Sequence, residues 1–129
     1  MLKRFTPDGI APPFSNYSHG VVVPPGMRVL FLAGQVGIDA EGKVPDDPAT
    51  QSDLAFANML AIMAAEGMGP EDLVEVTAYV VGAEHLATVR AAREKALGDI
   101  APASTMIFVS ALAAPSMMIE VKGIAAKAE

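Results

Sequence analysis

Between Leu73 and Val81 the chain alternates, with Val74, Val76, Ala78 and Val80 on one side and Glu75, Thr77 and Tyr79 on the other. A period of two over this length marks a β-strand with one apolar and one more polar face. A strand requires a sheet, and an apolar sheet face requires a covering layer. The flanking segments are helical. Asp47 can accept hydrogen bonds from the free amides of a first turn, and Pro48 suits the first helical position. Leu54, Ala57, Leu60, Ala61, Ile62 and Ala65 predict a broad apolar stripe, and Gly67 suits a left-handed cap. A second helix places Leu86, Val89, Ala92 and Ala96 inward and ends at Gly98.

Residues 7–16 are loop-like and Asp39–Asp47 is polar and turn-rich. Ser18–Val23 and Met27–Ala33 read as strands, and Pro24-Pro25-Gly26 between them predicts a hairpin. Thr105–Leu112 and Met117–Ile124 read as two more, joined as a hairpin through Ala113–Ser116. The predicted order is strand, strand, helix, strand, helix, strand, strand. That is a two-layer α+β domain with a mixed sheet, occupying all of residues 1–129. The helices cover one face. The other carries Tyr79 and, according to register, Met106 or Glu120, and needs a different cover, which oligomerisation would supply.

Composition agrees. Hydrophobic residues make up 52% of 129 and charged residues only 19%, more apolar surface than so small a domain readily buries alone. Much of the apolar count is Ala and Met, which close-packed helices and strands also use. The net charge of −6 and absence of any basic run disfavour nucleic-acid binding. Cysteine is absent, which excludes disulfides, thiolate catalysis and Cys-based metal sites. No apolar run suggests a signal peptide or membrane span, so the expected location is the cytoplasm.

The chain has no Gly-rich phosphate loop, no G-x-G-x-x-G and no G-x-S-x-G elbow. His19 and His85 stand apart, so no metal site is expected. Glu120 is out of place, inside the apolar run Met117–Val121. The simpler reading is a solvent-facing position on an alternating strand. The sharper one is a partly buried carboxylate able to take or give a proton near neutral pH. Arg90 and Arg93, three apart on the second helix, project from one face, most simply into solvent. Tyr17 follows a proline-rich loop, where a ring can pack or line a pocket.

Four stretches together carry a family resemblance: Pro12-Pro13-Phe14-Ser15-Asn16-Tyr17-Ser18-His19-Gly20-Val21, Leu32-Ala33-Gly34-Gln35-Val36-Gly37, Ala101-Pro102-Ala103-Ser104-Thr105, and Met118-Ile119-Glu120-Val121-Lys122-Gly123-Ile124-Ala125. In order and spacing they resemble the RidA/YjgF family of reactive-intermediate deaminases over almost the whole chain. The resemblance implies a chorismate-mutase-like α+β fold. It also implies a homotrimer with a barrel-like core, and small-molecule clefts between subunits. Its best-known members hydrolyse enamines and imines such as 2-aminoacrylate to a keto acid and ammonia, without metal or organic cofactor.

By the same resemblance Glu120 matches the glutamate that holds the attacking water, Tyr17 a tyrosine lining the cleft, and Gly34 a glycine facing the ligand. Ala33 stands where many members have serine, Met106 where many have cysteine, and Arg90 where there is a pocket asparagine. Ser104 replaces the arginine that grips the substrate carboxylate. The Arg90–Pro102 stretch is also a few residues shorter than in the deaminases. A serine offers neither charge nor a bidentate fork, which points to a bulkier or less anionic substrate. Arg90 or Arg93 turned into the cleft would replace the missing guanidinium; both turned into solvent would exclude that. The rival readings are a non-enzymatic small-ligand binder and a structural or chaperone-like trimer.

Overall fold

The computed structural model describes residues 1–129. Six strands and two helices follow in the order β1 (Lys3–Phe5), β2 (Gly20–Val22), β3 (Met27–Val36), α1 (Pro48–Ala65), β4 (Leu73–Val80), α2 (Leu86–Leu97), β5 (Ala103–Phe108) and β6 (Ile119–Ala128). The main sheet has strand order β3-β6-β4-β5. β6 is antiparallel to both β3 and β4, while β5 runs parallel to β4. α1 connects β3 to β4 and α2 connects β4 to β5, as parallel crossovers require. The α+β reading is therefore correct.

Neither predicted hairpin forms. β2 pairs with β1, a short strand not foreseen, and β3 pairs with β6. Pro24 and Pro25 have no N–H to donate to a ladder, and Gly26, at φ 89°, turns the chain away. The other expected hairpin is split because β5 and β6 lie on opposite sides of β4. The connection crosses the end of β4, where Val109 N donates to Val80 O at 2.9 Å and Val81 N donates to Met118 O at 2.8 Å. β5 accordingly ends at Phe108, before the apolar run to Leu112.

Asp47 caps α1 as expected, accepting from Thr50 N at 3.0 Å, and Gly67 takes φ 71° just beyond its end. The buried face of α1, however, is Gln51, Ser52, Ala55, Phe56, Met59 and Met63. Of the predicted stripe, Ala57, Ala61, Ile62 and Ala65 are exposed, while Leu54 and Leu60 are half-buried. Apolar residues surround this helix, so their spacing alone did not select the inward side. Gln51 goes inside because it is fully partnered. Its Nε2 donates to Pro45 O and Ser116 O, both at 2.8 Å, and its Oε1 accepts from Met118 N at 3.0 Å. This side chain ties two loops to the helix.

The core lies between the helices and one sheet face, with Val76, Ala78 and Val80 of β4, and Ile119 and Val121 of β6, packed against Phe56, Met59 and Val89. Leu73 joins them out of alternation because a register shift between Leu73 and Glu75 turns it inward. No helix covers the opposite face.

Candidate functional site

A cleft of about 160 Å3 opens beside β5, between α2 and the loop that precedes β2. That loop is fastened to the segment entering β5. Ser18 N donates to Pro102 O at 3.1 Å, Ser18 Oγ donates to Ala101 O at 2.6 Å, and Asn16 Nδ2 donates to Gly98 O at 3.3 Å. These bonds set Ser15 and Tyr17 against the cleft. The Tyr17 hydroxyl accepts from Phe14 N at 3.3 Å, and its ring stands edge-on to His19 with centroids 5.7 Å apart.

Arg90 and Arg93 line the cleft from the helix, opposite Ser104 and Met106 of β5. Arg93 is 7% exposed. Its Nη1 donates to Ser104 Oγ at 3.1 Å and its Nη2 to Ser15 Oγ at 2.9 Å. No ion pair in the structure includes Arg90 or Arg93. Burial pushes the Arg93 guanidinium below the usual arginine range, and the nearby charge of Arg90 adds to that; Glu94 and Tyr17 act in the opposite sense. A buried cation held only by neutral hydroxyls is unfavourable unless something anionic joins it. The solvent-facing reading is therefore wrong for Arg93.

Register separates Glu120 from this cleft. Met106 and Ser104 pair with Ala78 and Val76, whose side chains enter the core, whereas Glu120 pairs with Tyr79 on the face without helices. Glu120 is half-buried there. Its carboxylate lies over Gly34, on the β3 side; a Cβ at Gly34 would overlap it. Ala33 and Gly34 are exposed at the register shift where β3 bulges against β6.

The residues singled out from the sequence thus form two groups. Tyr17, Arg90, Ser104 and Met106 meet in the cleft, while Glu120, Gly34 and Ala33 lie together on the open sheet face. Sequence reasoning did not assign Phe14 and Ser15 to the cleft; it raised Arg90 or Arg93 turning into it, and both line it, with Arg93 bonded to Ser104. A short side chain at 104, facing a helix with arginines three apart, was the available signal. No set of three or more His, Asp or Glu side chains is gathered that could hold a metal, and no helix is long and apolar enough to cross a membrane.

The sequence pattern of the family described as Endoribonuclease L-PSP matches residues 9–127. The chain belongs to the RidA/YjgF family. A RutC family protein of Pyrococcus abyssi is 31% identical over 117 residues, 89% of each chain. Among solved structures, a Rid family protein of unknown function from Yersinia pestis superposes with a TM-score of 0.85 at 30% identity, covering 98% of both chains. The YjgF gene product of E. coli gives a TM-score of 0.70 at 28% identity, covering 97% of this chain and 98% of that one. The RidA/YjgF match spans both residue groups, from Tyr17 to Glu120.

Proposed function

We propose that this RidA-like chain hydrolyses a reactive imine or enamine in clefts formed between copies of itself. The observation that carries this reading is Arg93, a buried guanidinium with no carboxylate partner, at a ligand-sized cleft where Ser104 takes the place of the family's arginine. The cation expected on β5 comes from α2 instead. Loss of the strand arginine therefore does not imply a less anionic substrate.

Assembly supplies the second half. In one chain Glu120 and the cleft lie on different faces of the sheet. The face carrying Glu120 also exposes Val29, Phe31 and Ile107, with Phe31 at 75%. Covering such a face with further copies buries that apolar surface, and a homotrimer would set Glu120 of one copy near the Arg93 cleft of the next. Arg93 then binds the substrate carboxylate. Glu120 orients a water and accepts its proton, a role worth about a hundred- to ten-thousandfold. The water oxygen bonds to the C=N carbon while its proton passes through Glu120 to nitrogen, giving a carbinolamine; the hydroxyl proton then moves to nitrogen as the C=O forms and the C–N bond breaks. The products are a carbonyl compound and ammonia.

The separation of Glu120 from the cleft within one chain favours a second reading, a small-ligand binder without turnover. Ammonia release from enzymatically generated imines, compared between the parent and Glu120→Ala, tests both. Glu120-dependent release supports the hydrolase. Saturable binding with no release across a panel with and without α-carboxylates supports the binder. Ribonuclease action is disfavoured by the net charge of −6.

A further inference from the structure

The cleft holds two arginines and no acid. Arg90 and Arg93 are one helical turn apart on the same face of α2 and line the same small space. Tyr17, Ser15, Ser104 and Met106 add only neutral groups. One guanidinium suffices for one carboxylate, because its fork meets both oxygens. A second, unpaired and half-buried, has no use in gripping a monoanion. Their mutual repulsion makes the empty cleft unfavourable, and it is relieved most by a ligand with two negative charges.

From this we infer that the cleft selects a small dicarboxylate, with Arg93 fixing one carboxylate and Arg90 the other. The cleft is small, about 160 Å3 on one copy before a neighbour contributes, which favours a short skeleton. The substrate class is the 2-imino acid formed by oxidation of an acidic amino acid. The donor geometry separates the two roles. Arg93 is fixed by Ser15 and Ser104, whereas Arg90 has no side-chain hydrogen bond within the chain and is free to meet the second carboxylate.

The assignment of an imine rests on the proposed hydrolysis, but selection of a dianion does not, and binding alone tests it. Succinate, butyrate and inorganic phosphate would be titrated calorimetrically against the parent protein, Arg90→Gln and Arg93→Lys. Succinate is expected to bind the parent about tenfold more tightly than butyrate. Arg90→Gln should abolish that preference, weakening succinate far more than butyrate. Arg93→Lys keeps a cation but loses the fork and should weaken both carboxylates. Equal affinity for succinate and butyrate, or a preference that survives Arg90→Gln, overturns the inference. Phosphate binding more tightly than succinate overturns the dicarboxylate assignment. If no ligand binds the parent but all bind Glu120→Gln, the arginines are partners of a neighbouring copy's Glu120 and the inference fails. Succinate selectivity without imine turnover would leave the inference standing and remove the hydrolase.

Discussion

The Glu120 carboxylate rests over the α-carbon of Gly34, and only a residue without a side chain leaves it that place. The atoms a Cβ would meet are the outer ones of Glu120, including Cδ at 2.7 Å and Cγ at 3.0 Å. Gly34 is not among the glycines at positive φ, so alanine adds no backbone strain. Gly34→Ala should therefore displace the carboxylate without disturbing the core. We expect an unfolding midpoint close to that of the parent and ammonia release lowered about ten- to a hundredfold. The double variant with Glu120→Ala should be no slower than Glu120→Ala alone. An additive loss would mean that Gly34 contacts the ligand independently.

Arg93 should cost the fold stability in return for binding. Replacing it by Met keeps a long flexible side chain and removes a buried charge that has no acid partner. A buried charge without a counterion is costly to hold. We expect Arg93→Met to melt at or above the parent's temperature and to lose succinate binding. A fall of several degrees would mean that Ser15 and Ser104 satisfy the guanidinium fully and that the charge is structural. Ser104→Ala should lie between, because it leaves Arg93 one hydroxyl and a looser position.

Phe31 tests the assembly. It is 75% exposed on the sheet face that no helix covers and pairs with Ile124 of β6. Phe31→Asp adds a charge where apolar contact between copies is expected, and burying an unpaired charge is strongly unfavourable. Sedimentation should give a trimer for the parent and a monomer for the variant, with turnover lost and near-native circular dichroism. A parent that sediments as a monomer would remove the shared cleft and with it the proposed reaction.

Much of this architecture was legible in the sequence, and the failures have physical causes. The alternation from Glu75 to Val80, the Asp47–Pro48 helix start and the Gly67 end all depend on neighbouring residues, and all appear as read, whereas Leu73 turns inward at a register shift. Pairing partners depend on residues distant in sequence, so both hairpins were misassigned: nothing near Met27 reveals that its partner is Ala128. The inward side of α1 was missed because Gln51 and Ser52 are polar yet buried, their hydrogen bonds being supplied by distant loops and by Pro48 O. For the cleft, residue types were visible but connections were not. That Ser104 receives a guanidinium from Arg93 follows from the parallel β4–α2–β5 crossover, which local patterning does not contain.

Asp47 gives the fold a pH dependence whose sign is fixed. Its carboxylate accepts from the Thr50 hydroxyl at 2.7 Å and from the Thr50 amide at 3.0 Å. Those bonds, the hydroxyl first, hold it below the usual 3.8, against a small opposing effect of burial. The native state therefore takes up this proton less readily than the unfolded state. Its contribution is fully present above 3.8 and is lost as pH falls through the lower native value. Asp47→Asn keeps an acceptor oxygen for the cap but does not titrate. Urea midpoints for parent and variant should run parallel from about pH 7 to 5 and converge or cross as pH falls from about 4 to 2. Parallel curves down to pH 2 would show that the cap acts only through its neutral hydrogen-bond geometry.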